Sequence, residues 1–120
     1  MTTREQHEQQ ARENLALHEL LLRQERHLDW AATALAYSAL HYIDACLLPR
    51  DPRDHAARNS LIRQTPALRP VWANYRFLLE KSRDARYECY DPTPGEVQRF
   101  RRQHYDPIVT LVLQLLRART

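Results

Sequence analysis

From Trp30 to Leu48 the chain reads WAATALAYSALHYIDACLL, with Asp44 its one formal charge, while both flanks are dense in Arg, Glu and Asp. A helix that is apolar on most faces must be enclosed by other protein. The pattern therefore predicts a central buried helix, with the remaining segments folding as the helices around it. Ahead of it, Ala11, Leu15, Leu22 and the Leu20–Leu21 pair draw one apolar stripe on a helix running to about Arg26. Thr2 or Thr3 opens that helix, Thr2 and Glu5 having capping-box spacing. Asp29 reads as the N-cap of the central helix, and Pro49 ends it, since a residue before proline avoids the helical region. Asp54 caps a short helix, HAARNSLIRQ, whose apolar residues are Ala57, Leu61 and Ile62. Pro70 reads as the first residue of a fourth helix reaching about Glu88. Its stripe is Trp72, Tyr75 and Leu79, widened by Val71 and Leu78.

The segment CYDPTPG holds two prolines and the single glycine, and marks a turn. Thr93-Pro94-Gly95-Glu96 then supplies an N-cap, a proline at the first helical position and a closing Glu. The last helix directs Val97, Phe100, Ile108, Leu111, Val112 and Leu115 inward. Pro107 is expected to kink or split it near Asp106, because proline removes a backbone bond and clashes one turn back. The elements predict an all-α chain: a four-to-five-helix up-and-down bundle forming one domain over residues 1–120.

Composition agrees. One glycine and no alternating Val or Thr runs argue against sheet, and the abundant Ala, Leu, Arg, Gln and Glu are good helix formers. A chain of 120 residues buries roughly two thirds of its unfolded surface. Residues 30–48 approach the length of a membrane span, but Tyr37, Ser38, His41, Tyr42 and Asp44 are costly in lipid, so no membrane association is expected. The polar, acid-containing N-terminus reads as neither a secretory nor a transit signal. Cys46 and Cys89 read as free thiols of a reducing compartment, which implies a cytoplasmic protein.

The net charge is +3, too small to imply nucleic acid by itself. It is unevenly spread: −3 over residues 1–48, +3 over 49–69, zero over 70–92 and +3 over 93–120. Seventeen Arg against one Lys reflects a coding bias more readily than phosphate recognition.

Two groups of residues carry candidate chemistry. Tyr37, His41 and Asp44, at i, i+4 and i+7, stack along one face of the central helix. A buried charge needs a partner, and Arg83 and Arg86 are the candidates for Asp44. The plain reading is a hydrogen-bond network locking the second helix to the fourth. The functional one is a polar cleft, with Tyr87 beside it, that takes RNA, a nucleotide or a partner side chain. His55, Arg58 and Asn59 form the second group at a helix N-terminus, where amide donors favour anions, with Arg50, Arg53 and Arg63 around them. An exposed basic turn is the plain alternative. His7, His18 and His27 lie at spacings that put no two on one helical face, so no metal site and no cofactor is expected. The stretch from Leu111 to Leu116 is a core face or, in part, a dimer seam.

Two stretches, in order, resemble the HEPN family. ALAYSALHYIDACLL (34–48) resembles the second-helix signature of HEPN domains, an Ala-Tyr-x-Ala core followed by an aromatic or His. SRDARY (82–87) resembles the Arg-x-x-Ala-Asp/Arg-Tyr ending of a HEPN branch in which another long helix follows a turn. The Asp54-His55 start of the short helix also fits, and together these cover residues 30 to about 116. The resemblance implies a HEPN-like bundle that pairs as a homodimer. Many members are metal-independent ribonucleases. Others are inactive relatives found in toxin–antitoxin pairs, defence systems and nucleotidyltransferase partnerships.

The ribonuclease branch carries an Arg, a polar neighbour and, four to six residues on, a His. Here Arg58-Asn59 and Arg83-Asp84 open the motif, but Arg63, Gln64 and Thr65, and Glu88, Cys89 and Tyr90, stand where it closes. The spacing does occur at Arg12/His18, Arg50/His55 and Arg99/His104, about as often as chance provides in a chain so rich in Arg. The resulting expectation is a non-catalytic HEPN-like binding module, homodimeric, linked to RNA or to a partner protein. A HEPN ribonuclease toxin and an ordinary helical adaptor are the alternatives.

Overall fold

The structure, a computed structural model, describes residues 2–119. It contains six α-helices and no strand among those residues: α1 (Arg4–Gln24), α2 (Leu28–Leu47), α3 (His55–Gln64), α4 (Trp72–Tyr87), α5 (Pro94–Phe100) and α6 (Asp106–Ala118). A single 3-10 turn, Arg69–Val71, leads into α4. A π-helical turn, Arg101–Tyr105, joins α5 to α6 in one interrupted rod, leaving five helical rods. The expected all-α bundle is what the chain forms, and no helix among the described residues is long and apolar enough to cross a membrane.

The centre is α2. Sixteen of its 20 residues are buried, and only Asp29, Trp30, Tyr37 and His41 are not. Its alanines let the neighbours approach closely. Ser38 donates to the Ala11 carbonyl of α1 at 2.7 Å and meets the Tyr105 hydroxyl at 2.8 Å. His18 Nδ1 donates to the Ala31 carbonyl at 3.0 Å. The buried face of α1 is therefore His7, Ala11 and His18, so His7 and His18, which their spacing was expected to separate, share one face three turns apart. Leu15, Leu21 and Leu22 are half-buried, and Leu20 of the expected stripe is exposed at 42%. Against an alanine-rich helix, small and hydrogen-bonding side chains pack where a leucine row would hold the backbones apart.

Helix starts follow local chemistry, with shifts. The capping box of α1 uses Thr3 and Gln6, one residue beyond the expected Thr2 and Glu5. Asp29 does not cap α2. The chain turns through left-handed Glu25 and His27, so α2 starts at Leu28 and Asp29 lies in its first turn, where a carboxylate favours the helix dipole. Asp54 caps α3, accepting from the Ala57 amide at 2.7 Å, and Thr93 and Glu96 form the box that opens α5. Pro70 lies in the 3-10 turn, and α4 begins at Trp72.

Pro107 acts as expected, through a specific device. The π turn ends two residues before it and widens the helix where proline would clash with the preceding turn. The inserted residue shows in the inward face, which steps Val97, Phe100, Tyr105, Ile108, Val112, Leu116. The step of five from Phe100 to Tyr105 moves Leu111 and Leu115 to half-buried positions and takes Leu116 into the core.

Burial, which outweighs the hydrogen bond to Ala31, holds His18 below the usual imidazole range, and burial does the same to His104, stacked on Phe77 at 3.9 Å. A histidine whose folded pKa is depressed binds its proton more readily when unfolded. Its stabilising contribution is full above the ordinary 6.5 and is lost as pH falls through the folded value. Guanidinium midpoints should fall between pH 7.5 and pH 5, and His18→Asn, which keeps an amide donor near Ala31 but does not titrate, should flatten that dependence.

Candidate functional site

Asp54 fixes the start of α3, and the helical period then assigns its faces. Arg58 and Ile62 point inward and are buried, while His55, Ala56, Asn59 and Arg63 line the adjoining face. Across from them, α4 presents Trp72, Arg76, Leu79, Glu80, Arg83, Arg86 and Tyr87 at helical spacing. These two faces enclose an open groove of about 860 Å³.

Four arginines against one glutamate make the groove electropositive. Arg76 pairs with Glu80 at 3.1 Å. Arg63 lies over the Trp72 ring at 5.7 Å, and Arg86 lies over both Tyr37 (5.6 Å) and Tyr87 (5.1 Å). Arg83 is exposed and has no hydrogen bond, ion pair or ring contact among the described residues. On the groove wall, Asn59 Oδ1 is buried and has no hydrogen-bond partner. His55 is held below the usual imidazole range by burial, then by the charges of Arg58 and Arg86, so it stands neutral at neutral pH.

Behind the groove lies a buried polar cluster. Asp44 of α2 is paired in bidentate fashion by Arg58, Nε to Oδ1 at 2.7 Å and Nη2 to Oδ2 at 3.0 Å, both side chains being 8% exposed. Arg58 Nη1 lies 3.5 Å from His55 Nδ1. His41, one turn before Asp44, meets His7 of α1, Nδ1 to Nδ1 at 3.1 Å. Burial, then the neighbouring His7, keeps His41 below the usual range. Tyr75 is buried at the same place, its hydroxyl unpaired and its pKa raised by burial.

The two groups expected from sequence are thus recombined. Asp44 is not met by Arg83 or Arg86, which lie on the groove-facing side of α4; its partner is Arg58, turned inward by α3. Tyr37 does meet Arg86, through its ring. From the anion group His55, Asn59 and the neighbouring Arg63 line the groove. Arg58 is occupied by Asp44, Arg50 reaches Thr65 Oγ1 (3.2 Å) and Arg53 lies near Asp51 (3.7 Å). Of the motif-spaced histidines, His18 is buried against Ala31 and His104 bonds Asn74 Oδ1 at 3.0 Å. Sequence reasoning missed Trp72 and Arg76 as groove residues, although Trp72, Arg76, Leu79, Arg83 and Arg86 recur at helical spacing. It also missed His7, whose partner lies 34 residues away.

No protein-family model, curated protein or solved structure matches this chain.

Removing one partner of a buried ion pair strands the other charge. Arg58→Ala should cost about 3–5 kcal/mol in urea unfolding. Asp44→Leu combined with Arg58→Met should recover most of that loss, because the hydrophobic pair leaves no charge behind.

Proposed function

We propose that this chain is a HEPN-like binding module without catalysis of its own, whose α3–α4 groove holds a short single-stranded stretch of RNA. The groove itself carries the reading: four arginines against one glutamate, aromatic rings at Trp72 and Tyr87, and one arginine, Arg83, exposed without an internal partner. Proteins that hold single strands combine a positive channel for the backbone with rings on which bases stack. Trp72 and Tyr87 are 15 residues apart on α4, about 22 Å at helical rise, a span suited to a few nucleotides.

Homodimerisation belongs to the same reading. The face of α2 that its own chain leaves uncovered carries Trp30 (53% exposed), with Leu17 (46%) and Tyr87 (69%) in the hollows beside it and Leu20 (42%) also exposed. A hollow of about 460 Å³ joins Leu17, Trp30, Tyr37 and Arg86. A second copy covering this face would extend the groove past Arg86. The cytoplasm, and a setting beside a nucleotidyltransferase or in a toxin–antitoxin or defence system, fit the HEPN resemblance.

One observation favours a second reading, a metal-independent ribonuclease. His55 is neutral, opens onto the groove and stands near Arg58 and Arg86, as a base for a ribose 2′-OH would.

Fluorescence anisotropy with labelled single-stranded RNA tests the module. Affinity should fall with salt at a log–log slope of about −2 to −3, and Arg83→Glu should weaken binding by about tenfold and reduce that slope. No binding at low salt would leave an ordinary helical adaptor. RNA cleavage without metal that disappears in His55→Ala would establish the ribonuclease instead. Sedimentation should show a dimer that Trp30→Glu converts to a monomer.

A further inference from the structure

The contact between His7 and His41 is separate from the groove and has no part in holding RNA. Two Nδ1 atoms from different helices converge at 3.1 Å, and one donor atom from each of His7, His41 and Asp44 lies within 4.8 Å of the other two. A neutral hydrogen bond between the rings accounts for one N–H and one lone pair. The carboxylate beside the rings is bonded to Arg58 and to neither of them.

We propose that His7, His41 and Asp44 form a site for a divalent transition-metal ion of the zinc class. Two imidazoles and one carboxylate, with a remaining position for water, make a common donor set for such ions. At Zn–N bonds of about 2.05 Å, the 3.1 Å separation corresponds to an N–Zn–N angle of about 98°. Opening it to the tetrahedral value moves the rings apart by only a few tenths of an ångström. His7 is fixed by burial at 6% exposure, whereas His41 is half-buried and borders a surface hollow of about 450 Å³ lined by Gln6, Gln9, Gln10 and Glu13. That hollow supplies the entry path and room for the water ligand.

Arg58 has two effects. Its two bonds fix the Asp44 carboxylate, as hydrogen-bonded outer groups orient metal ligands, and each oxygen keeps a lone pair free. Its charge also opposes the incoming cation and weakens the site.

Calorimetric titration of the chelator-treated full chain with Zn²⁺, in a Cys89→Ser background to remove the exposed thiol, tests this. One equivalent should bind per chain, His41→Gln should weaken binding by at least about tenfold, and His27→Gln, at an exposed histidine, should leave it unchanged. Co²⁺ in place of Zn²⁺ should give visible absorption bands that vanish in the same variant. No binding up to about 100 µM Zn²⁺, or binding that both His41→Gln and His7→Gln leave within twofold with helicity intact, would overturn the site. His41→Gln changes a half-buried side chain and keeps the test open if His7→Gln fails to fold.

Discussion

The rest of the fold depends on the near-complete burial of α2. Once water is removed from 16 of its 20 residues, its buried polar groups need partners, and most of these come from other segments, because an unpaired buried polar group costs more than a made hydrogen bond returns. Ser38 ties α2 to the backbone of α1 and to Tyr105 in the π turn. Asp44 fixes α3 through Arg58, the Ala31 carbonyl takes the ring of His18, and the Cys46 carbonyl accepts from Arg119 at 2.7 Å. The apolar positions drive collapse. These few polar ones decide which helix lies where.

The same constraint produces the two candidate sites. Satisfying Asp44 turns Arg58 inward, and on a helix that rotation places His55, Asn59 and Arg63 on the adjoining face, across from the arginines of α4. The positive groove is thus the outer side of an element whose inner side neutralises a buried acid. Close approach of α1 to the alanines of α2 brings His7 against His41, where leucines would have kept the helices farther apart. Both sites are consequences of how α2 is enclosed.

A five-residue π turn serves a comparable purpose at the other end of the core. Without it, Pro107 would face the carbonyl one turn back, and the residues that follow would continue the register of α5. The extra residue resets the face, so that Tyr105 reaches Ser38 while Ile108, Val112 and Leu116 fill the core. The proline's presence, the polar satisfaction of α2 and the packing of α6 are therefore linked.

Much of this was legible in the residues. Helicity, the central position of residues 30–48, the caps at Asp54 and Thr93 and the interruption before Pro107 follow from composition, period and local hydrogen bonding, which act within a few residues. The step from Phe100 to Tyr105 was equally local, but it is readable only once the inward face is known. What the tertiary structure alone decided is pairing across distance. Arg83 and Arg86 were the candidates for Asp44, and the placement of α3 beside α2 supplied Arg58, equal to them in charge, instead. His7 and His41 share no local pattern, since they lie 34 positions apart on separate helices. Helical period determines which face a side chain occupies, but which faces meet depends on how closely backbones pack, and that is a property of the whole core.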